Sequence, residues 1–530
     1  MTRQAKTPSF VTELPLAVDG EQERIVLARL EAARQVYNAC LGEALKRREA
    51  LLHSRAYQAA RAMPAGRART QAFAHAQAAV GFDDYALQDY AGVLGHSWIG
   101  KEHLDSLTVQ KLASRAFDAV QKYHFGKRGR PRFKGRHQLD SVEGKTNRSG
   151  IRWVLEETGT GQVEWRRGEE DGPGDLKLRA LIHWQDAVLA YGLHAKVKYV
   201  RLVRRKLNGR NRFYVQLVCQ GKPYRKDKHS LGQGKVGLDI GPSTIGVVAP
   251  NQAELSLFCD KLKRHDREIR RVQRKVERQR RANNPDNYNA DGTIKQGKKR
   301  WVKSRRQRDT ERKLSELHRK QAAHRASLHG QLVNHLLALG DDIRMEKLSY
   351  RAFQRRFGRS VACRAPGTFV NLLRRKAGNA GAALTEFSTH TTKLSQTCHA
   401  CGKVQKKALS QRWHECECGV SAQRDLYSAF LAIHVDNNRL NADQARAAWS
   451  GVDTLLRAAL SDAQAQLASG GRLPASFGLN RRGASRPVKL GGQTVKTNGA
   501  VGEALAPVDA VREAVHPPQP LPVGLGSSQN

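Results

Sequence analysis

The chain has 530 residues, with 92 Lys and Arg against 49 Asp and Glu, and therefore a formal net charge of +43. This excess predicts a polyanionic partner: nucleic acid is the default, and an anionic membrane surface or a long disordered basic tail are the alternatives. The sequence has no apolar run of membrane-spanning length and no apparent secretion signal, so we expect no membrane partner. Eight cysteines are too few for a disulfide scaffold of this size.

The N-terminal segment combines one predicted strand with a long helical region. Residues 9–18 alternate as a strand does, and Asp19 then opens a helix in which Gln22 is placed to complete a capping box. Helical composition continues to about residue 123, with a loose break predicted around residues 65–80. We therefore predict a helical lobe.

A short basic segment, residues 125–136, follows the helical lobe. Its Gly and Pro residues preclude a regular helix, and its basic residues alternate with aromatic ones. Such a composition can follow a phosphate backbone and stack a base, although a solvated basic linker would look similar. The predicted nucleic-acid contacts here are Lys127, Arg128, Arg130, Arg132, Phe133 and Lys134.

The next region, residues 138–225, is rich in alternating strand patterns. An Asn-Gly pair at residues 208 and 209 lies between two of them, which is a strong hairpin signal. We predict a small β-barrel here, completed by the strand at residues 9–18.

Asp239 lies in the run KVGLDIGPSTIGVVAP, which predicts a strand, a tight turn and a returning strand. A solvated acid at a strand end would be the simplest interpretation of this residue alone. Glu346 ends a second strand-like run, and Asp425 lies in the first turn of a predicted amphipathic helix. Three acids placed in this way could converge on two magnesium or manganese ions, since such metals prefer oxygen ligands.

Two long basic helices are predicted between the first two acids, within residues 261–330. Acidic residues are too sparse there to neutralise the basic ones by helical pairing, so we favour a nucleic-acid-facing surface over a solvated face. The residues predicted to face nucleic acid are Arg270, Arg271 and Arg274. The second helix is predicted to end at Gly340 and to pack onto the neighbouring sheet through Leu314, Leu317, Leu328, Val333, Leu336 and Leu337. Residues 351–383 are predicted to form a loop and then a helix, and residues 384–394 a strand.

Four cysteines follow at metal-ligand spacing, one pair as C-x-x-C and the other as C-x-C. They are Cys398, Cys401, Cys416 and Cys418. Four thiolates favour one tetrahedral zinc ion in a structural site. His399 or His414 could replace one cysteine, so the fourth ligand is left open.

The end of the chain is predicted to be helical over residues 441–469. Residues 470–530 are rich in Gly, Pro, Ser and Ala, so we predict disorder there. Arg424, next to Asp425, is predicted either to contact a phosphate or to form a surface ion pair.

The segments GLDIGPSTIGVV, RMEKLSY and AQRDLYSAFLA together resemble the three motifs of the split RuvC nuclease in transposon-encoded TnpB proteins and the related compact type V CRISPR effectors. The cysteines lie between the second and third motifs, where that family has its knuckle, and the resemblance covers about two-thirds of the chain. This sequence departs from the family in its second cysteine pair, where Glu415 stands in place of the usual cysteine.

The resemblance implies an α/β multidomain protein: an RNase H-like (RuvC) nuclease core with a zinc-knuckle insert, a helical recognition lobe and a β-barrel wedge domain. Its implied boundaries are wedge strand 1–20, helical lobe 21–137, wedge barrel 138–230, nuclease 231–394, knuckle 395–419, last nuclease motif 420–436 and C-terminal extension 437–530.

The implied activity is magnesium-dependent, RNA-guided cleavage of double-stranded DNA. The implied partners are guide RNA and the target DNA with its displaced strand, in the cytoplasm of a prokaryote at the nucleoid, and a homodimer is possible. The alternatives are a guided binding protein that does not cut, acting as a repressor or transposition accessory, a transposase, and an actin-like sugar kinase or ATPase. The last would need a second glycine-rich phosphate loop, for which the sequence offers no convincing candidate.

Overall fold

The computed structural model describes residues 7–95, 102–166, 175–408, 410–468 and 477–478. The chain divides into two compact units, Met1–Lys226 and Asp227–Asn530, which are described separately below. Within the described ranges, no helix has both the length and the apolar character needed to cross a membrane.

The helices described before residue 125 in the first unit are α1 Gly20–His53, α2 Arg55–Ala62, α3 Arg67–Ala79, α4 Asp84–Gly95 and α5 Ser106–His124. The capping box at the start of α1 is confirmed: Asp19 accepts a hydrogen bond from the Gln22 backbone N–H at 2.8 Å, and the Gln22 side chain accepts one from Asp19. The predicted break at residues 65–80 is wrong, because α3 occupies most of it. Only a short turn ending at Gly66, the N-cap of α3, separates α2 from α3.

Within the part of the first unit that the structure describes, seven antiparallel strands form one sheet, in the order β2-β6-β7-β1-β5-β4-β3. Their bounds are β1 Ser9–Ala17, β2 Ser141–Glu143, β3 Ile151–Leu155, β4 Gly161–Trp165, β5 Leu176–Ala180, β6 Val197–Leu207 and β7 Arg210–Gln220, and helix α6 spans Ala187–His194. The N-terminal strand joins this sheet as predicted, pairing with β7 along most of its length and with β5 at its end. The predicted hairpin turn is confirmed at Asn208 and Gly209, which have φ values of 51° and 78°. Among the described residues no ladder joins β2 to β3, so the sheet is an open barrel.

A five-stranded mixed sheet forms the centre of the second unit, in the order β10-β9-β8-β11-β12. Its strands are β8 Lys235–Ile240, β9 Thr244–Ala249, β10 Gln252–Leu257, β11 Asp342–Glu346 and β12 Ala383–Phe387. The first three strands in chain order are antiparallel, and β11 and β12 continue the sheet in parallel with β8.

Helices cover both faces of this sheet. The helices described in the second unit are α7 Asp266–Asn283, α8 Arg305–Leu339, α9 Tyr350–Arg364, α10 Pro366–Ala380, α11 Thr389–Thr392, α12 Arg424–Ile433 and α13 Ala442–Ala468. Side chains of α8 and α10 pack on one face, against Val236, Leu238 and Ile240. Side chains of α12 and α13 pack on the other face, against Val248 and Leu255.

The two predicted basic helices are α7 and α8, and α8 ends at Gly340 as predicted. Their packing differs from the prediction in one respect. Leu314 and Leu317 contact Ile269 and Val272 of α7 instead of the sheet, because these turns of α8 extend beyond it. Only the end of α8, with Val333, Leu336 and Leu337, packs on the strands.

Residues 351–394 are more helical than predicted. The predicted loop is α9, held by a hydrogen bond of 2.5 Å from the Ser360 hydroxyl to the carbonyl oxygen of Pro242. The predicted strand over residues 384–394 ends at Phe387, because Ser388 caps the short helix α11.

The knuckle region contains a hairpin of β13 Trp413–Glu415 and β14 Ser421–Gln423, and β15 Val435–Asp436 pairs with β16 Arg439–Leu440 after α12. Most of residues 470–530 lies outside the described residues. The disorder predicted there stays a prediction. The structure describes residues 477 and 478 of this tail: Phe477 is fully buried, and the indole N–H of Trp413 donates to the Gly478 carbonyl at 3.2 Å.

Candidate active site and metal centre

Asp239 and Glu346 lie side by side at the ends of two parallel strands. Leu238 of β8 pairs with Met345 of β11, so the next residue on each strand stands at the same level. Side chains alternate between the two faces of a sheet, and paired residues share a face. Both carboxylates therefore lie on the face covered by α12, which is also the face of Gly237.

Two glycines allow α12 to lie directly on the strands. A Cβ atom on Gly237 would stand 1.8 Å from the carbonyl oxygen of Ala429, and a Cβ on Gly246 would stand 2.7 Å from that of Asp425. Gly246 is the register partner of Asp239. The absence of side chains at these two positions thus brings Asp425 next to Asp239.

The three acids are crowded and poorly compensated. Burial, together with the negative charges of Asp425 and Glu346, raises the pKa of Asp239 well above its ordinary value, and nearby Arg424 and Arg412 offset this only in part. Burial likewise raises the pKa of Asp425, which is 6% exposed, and of Glu346. A divalent metal ion would neutralise clustered carboxylates of this kind.

Two threonine hydroxyls, which were not predicted, orient the acids. Thr244 donates to Asp425 at 3.0 Å, and Thr392 donates to Glu346 at 3.3 Å. Thr244 begins the strand that returns past Asp239, and that position was a signal available in the sequence. No local signal pointed to Thr392, because the segment containing it was predicted to be a strand.

Arg424 is not part of a surface ion pair. It is 8% exposed, and its guanidinium donates to the carbonyl oxygen of Ala408 at 3.1 Å. Its backbone N–H donates to the carbonyl oxygen of Arg412 at 2.9 Å. The ion-pair prediction is therefore wrong, because the residue is enclosed by the segment that precedes β13. Contact with a phosphate stays a prediction.

The four predicted cysteines meet, and their sulfur atoms all lie within 4.8 Å of one another. The Cys398 and Cys418 sulfurs are 3.5 Å apart, as are those of Cys401 and Cys416. Four thiolates around one zinc ion at about 2.3 Å would be about 3.8 Å apart, so this cluster fits the ion with little adjustment.

The two histidines offered as alternative ligands lie outside this sulfur cluster. Nδ1 of His399 is 2.8 Å from the hydroxyl of Tyr427, and the ring of His414 stacks on the Tyr427 ring with centroids 4.1 Å apart. Burial lowers the pKa of His399, and that of His414 to about 4, so both imidazoles are neutral at pH 7. Glu415 is exposed. The geometry thus favours cysteine as the fourth ligand.

The basic segment in the first unit is held against α1. Asn38 forms two hydrogen bonds with the backbone of Lys134, each of 2.8 Å, and Arg34 donates to the same carbonyl at 3.1 Å. Phe133 lies over Gly42 and is 46% exposed. The side chains of Lys127, Arg128, Arg130 and Arg132 are exposed. An anchored loop presenting exposed cations differs from the solvated linker that the sequence left open.

Arg270, Arg271 and Arg274 all lie on the exposed side of α7. Arg271 lies 4.0 Å from Glu268, which also pairs with Lys313 of α8 at 3.1 Å. The single acid is thus shared between two basic residues, and this face of the helix keeps a positive surplus.

Residues 367–431 match the family model described as Cas12f1-like, TNB domain. The matched segment includes all four cysteines and Asp425, so the resemblance to compact type V effectors is confirmed over this part of the chain. No curated protein matches the chain.

The solved structures that are similar to the chain include two complexes. One is a cryo-EM structure of a Cas12f1-sgRNA-target DNA complex, with 12% sequence identity and a TM-score of 0.42. The match covers 81% of this chain and 98% of the chain in that structure. A cryo-EM structure of a CRISPR-Cas12f ternary complex is 13% identical, covers 80% of this chain and 83% of that chain, and has a TM-score of 0.28. At TM-scores this low, the similarity to these structures supports no conclusion about this chain.

Proposed function

We propose that this protein is an RNA-guided DNA endonuclease that hydrolyses phosphodiesters at a single RuvC-like site. The observation that carries this proposal is the convergence of Asp239, Glu346 and Asp425 on one face of a mixed sheet. Three antiparallel strands continued by two parallel ones resemble the RNase H-like core, and acids at these positions support the nuclease assignment.

The three carboxylates would hold two magnesium or manganese ions. The donor set fits, since all three ligands offer hard oxygen atoms and their mutual repulsion is relieved by cations. Such ions activate water and stabilise the leaving oxygen in phosphodiester cleavage. Thr244 and Thr392 would fix the orientation of two of the carboxylates, and the burial of α12 would hold Asp425 at the site.

The four-cysteine cluster would hold one structural zinc ion. Zinc in such a site acts on folding, since it keeps a small segment with little apolar core in one conformation. The knuckle would then shape access to the acids without taking part in the chemistry.

Guide RNA and target DNA are the partners that the charge and the family-model match support. The net charge of +43 requires a polyanion, and the matched family is of the Cas12f1-like type. In this arrangement base pairing selects the sequence, and the protein provides the channel and the cut. The anchored loop at residues 125–136 and the exposed face of α7 are the proposed contacts.

The first experiment is to purify the protein from cells carrying its native flanking DNA and to sequence the RNA that comes with it. One abundant RNA with a constant scaffold and a segment matching neighbouring DNA is expected. That RNA then directs a cleavage assay on matching plasmid DNA with magnesium. Only heterogeneous cellular RNA would count against a guide and favour the repressor or transposase alternatives.

The variant that tests the acidic site is Asp239→Ala, which removes the central acid. Cleavage should fall by about a thousandfold, because the bound metal ions lower the activation barrier by several kcal/mol. DNA binding should persist. Undiminished cleavage by this folded variant, or cleavage that survives EDTA, would contradict the two-metal site.

A further inference from the structure

The hairpin that carries two of the cysteines leads directly into the helix that carries Asp425. Cys416 and Cys418 lie in the turn between β13 and β14, where the backbone N–H of Cys416 donates to the carbonyl oxygen of Val420 at 2.9 Å. The strand β14 ends at Gln423, and α12 begins at the next residue. No linker separates the two, so a movement of the turn is transmitted to the first turn of the helix.

Tyr427 connects the same helix to the other cysteine pair. It lies two residues after Asp425 and is fully buried. Its hydroxyl accepts a hydrogen bond of 3.0 Å from the backbone N–H of His399 and lies 2.8 Å from Nδ1 of that residue. His399 is itself 1% exposed and stands between Cys398 and Cys401.

The ring of Tyr427 is held from the second pair as well. His414 stacks on it, with ring planes inclined by 27°, and His414 lies two residues before Cys416. One side chain on the helix thus contacts residues adjacent to both cysteine pairs.

The two cysteine turns lie at the surface, where a salt bridge of 2.9 Å between Lys403 and Glu417 joins them. Cys401 and Cys418 are exposed, and so are the glycines that follow each pair, Gly402 and Gly419. A metal bound by four thiolates would lock these turns together, and with them the backbone of His399.

Resting on the proposed function above, we propose that Tyr427 is a positioning residue that couples metal binding at the cysteines to the position of Asp425. Occupancy of the cysteine cluster holds His399, His399 holds the Tyr427 hydroxyl, and the helix then keeps Asp425 at the acidic site. According to this proposal, the knuckle supports the catalytic metal site and is also an insert that faces the substrate.

The test measures manganese binding by the full-length, zinc-loaded chain without nucleic acid, following the electron paramagnetic resonance signal of free Mn²⁺. Tyr427→Phe removes only the hydroxyl. Its zinc content should equal that of the wild type, and its half-saturating Mn²⁺ concentration should rise about 3- to 10-fold, the range expected for one lost hydrogen bond. Tyr57→Phe is the control for loss of a tyrosine hydroxyl beside a histidine elsewhere, because the Tyr57 hydroxyl lies 3.5 Å from Nε2 of His124 in the other unit.

A double-mutant cycle separates coupling from simple loss of stability. Cys418→Ser, at an exposed ligand, should lower zinc content and weaken Mn²⁺ binding in the wild-type background, and should have little further effect beside Tyr427→Phe. Additive effects, or equal Mn²⁺ binding in the wild type and Tyr427→Phe, would overturn the coupling alone. A wild type that binds no Mn²⁺ would overturn the proposed function, and this inference with it.

Discussion

The substitution Gly237→Ala tests whether α12 rests directly on the sheet. The added Cβ would stand 1.8 Å from the carbonyl oxygen and 2.9 Å from the carbonyl carbon of Ala429. These are backbone atoms of a buried helix, so no side-chain rotation relieves the contact. Because such contacts are essentially never shorter than about 3 Å, the helix must move away by more than about 1 Å.

We expect two consequences of this displacement. Overpacking of this kind lowers the free energy of unfolding by about 1–3 kcal/mol. Asp425 moves with the helix, and a misplacement of about 1 Å at a reacting centre lowers the rate by about a hundredfold. DNA cleavage should therefore fall by about that factor while binding of RNA is retained.

The assay compares urea unfolding and plasmid cleavage of Gly237→Ala with those of Gly330→Ala. Gly330 lies inside α8, where an added Cβ meets nothing within 4 Å, so alanine there should stabilise the helix by up to about 1 kcal/mol. Wild-type stability and cleavage in Gly237→Ala would refute the close approach of helix and strand.

Three further predictions concern other parts of the chain. The hydrogen bond of 2.8 Å to Glu254 raises the pKa of His335, so its stabilising effect is complete below about pH 6.5 and is lost as the pH rises through the raised value. The loss of stability in His335→Gln should thus be larger at about pH 6 than at about pH 8. It should stay below about 1 kcal/mol because the imidazole is 42% exposed. A loss that does not vary with pH would exclude the ion pair. Arg130→Glu should weaken RNA binding and reduce its salt dependence by about one counterion. Asn38→Ala should also weaken RNA binding, with no change in charge. If only the Arg130 variant has an effect in a filter-binding titration, anchoring of the basic loop is irrelevant to RNA binding. The purified chain should carry one zinc by elemental analysis and Cys401→Ser clearly less, whereas unchanged zinc in that variant would remove Cys401 from the site.

Local patterns were sufficient for the elements and for the ligands themselves. The alternation around Asp239, the capping box at Asp19 and the Asn-Gly turn each depend on residues a few positions apart, and all three were predictable. The cysteine pairs were also predictable, since two thiolates on one tight turn need only two or three residues between them.

Predictions failed where a distant contact decides the local structure. Residues 351–364 form a helix, anchored in part by Ser360 on the turn after β8. Leu314 and Leu317 carry the same helical pattern as the leucines that face the sheet, yet they pack on α7. A surface ion pair was one of the two alternatives predicted for Arg424, and the residue is instead enclosed by a loop that precedes it in the chain.

The sequence by itself determined which acids and which thiols could bind metal, because residue type and short spacing set that chemistry. Only the tertiary structure decided that these groups meet. Thr244 and Asp425 are 181 positions apart, and their contact depends on two glycines that let a helix lie on two strands. The link from His399 to Tyr427 also depends on tertiary packing: the two residues are 28 positions apart, and no local periodicity predicts their contact.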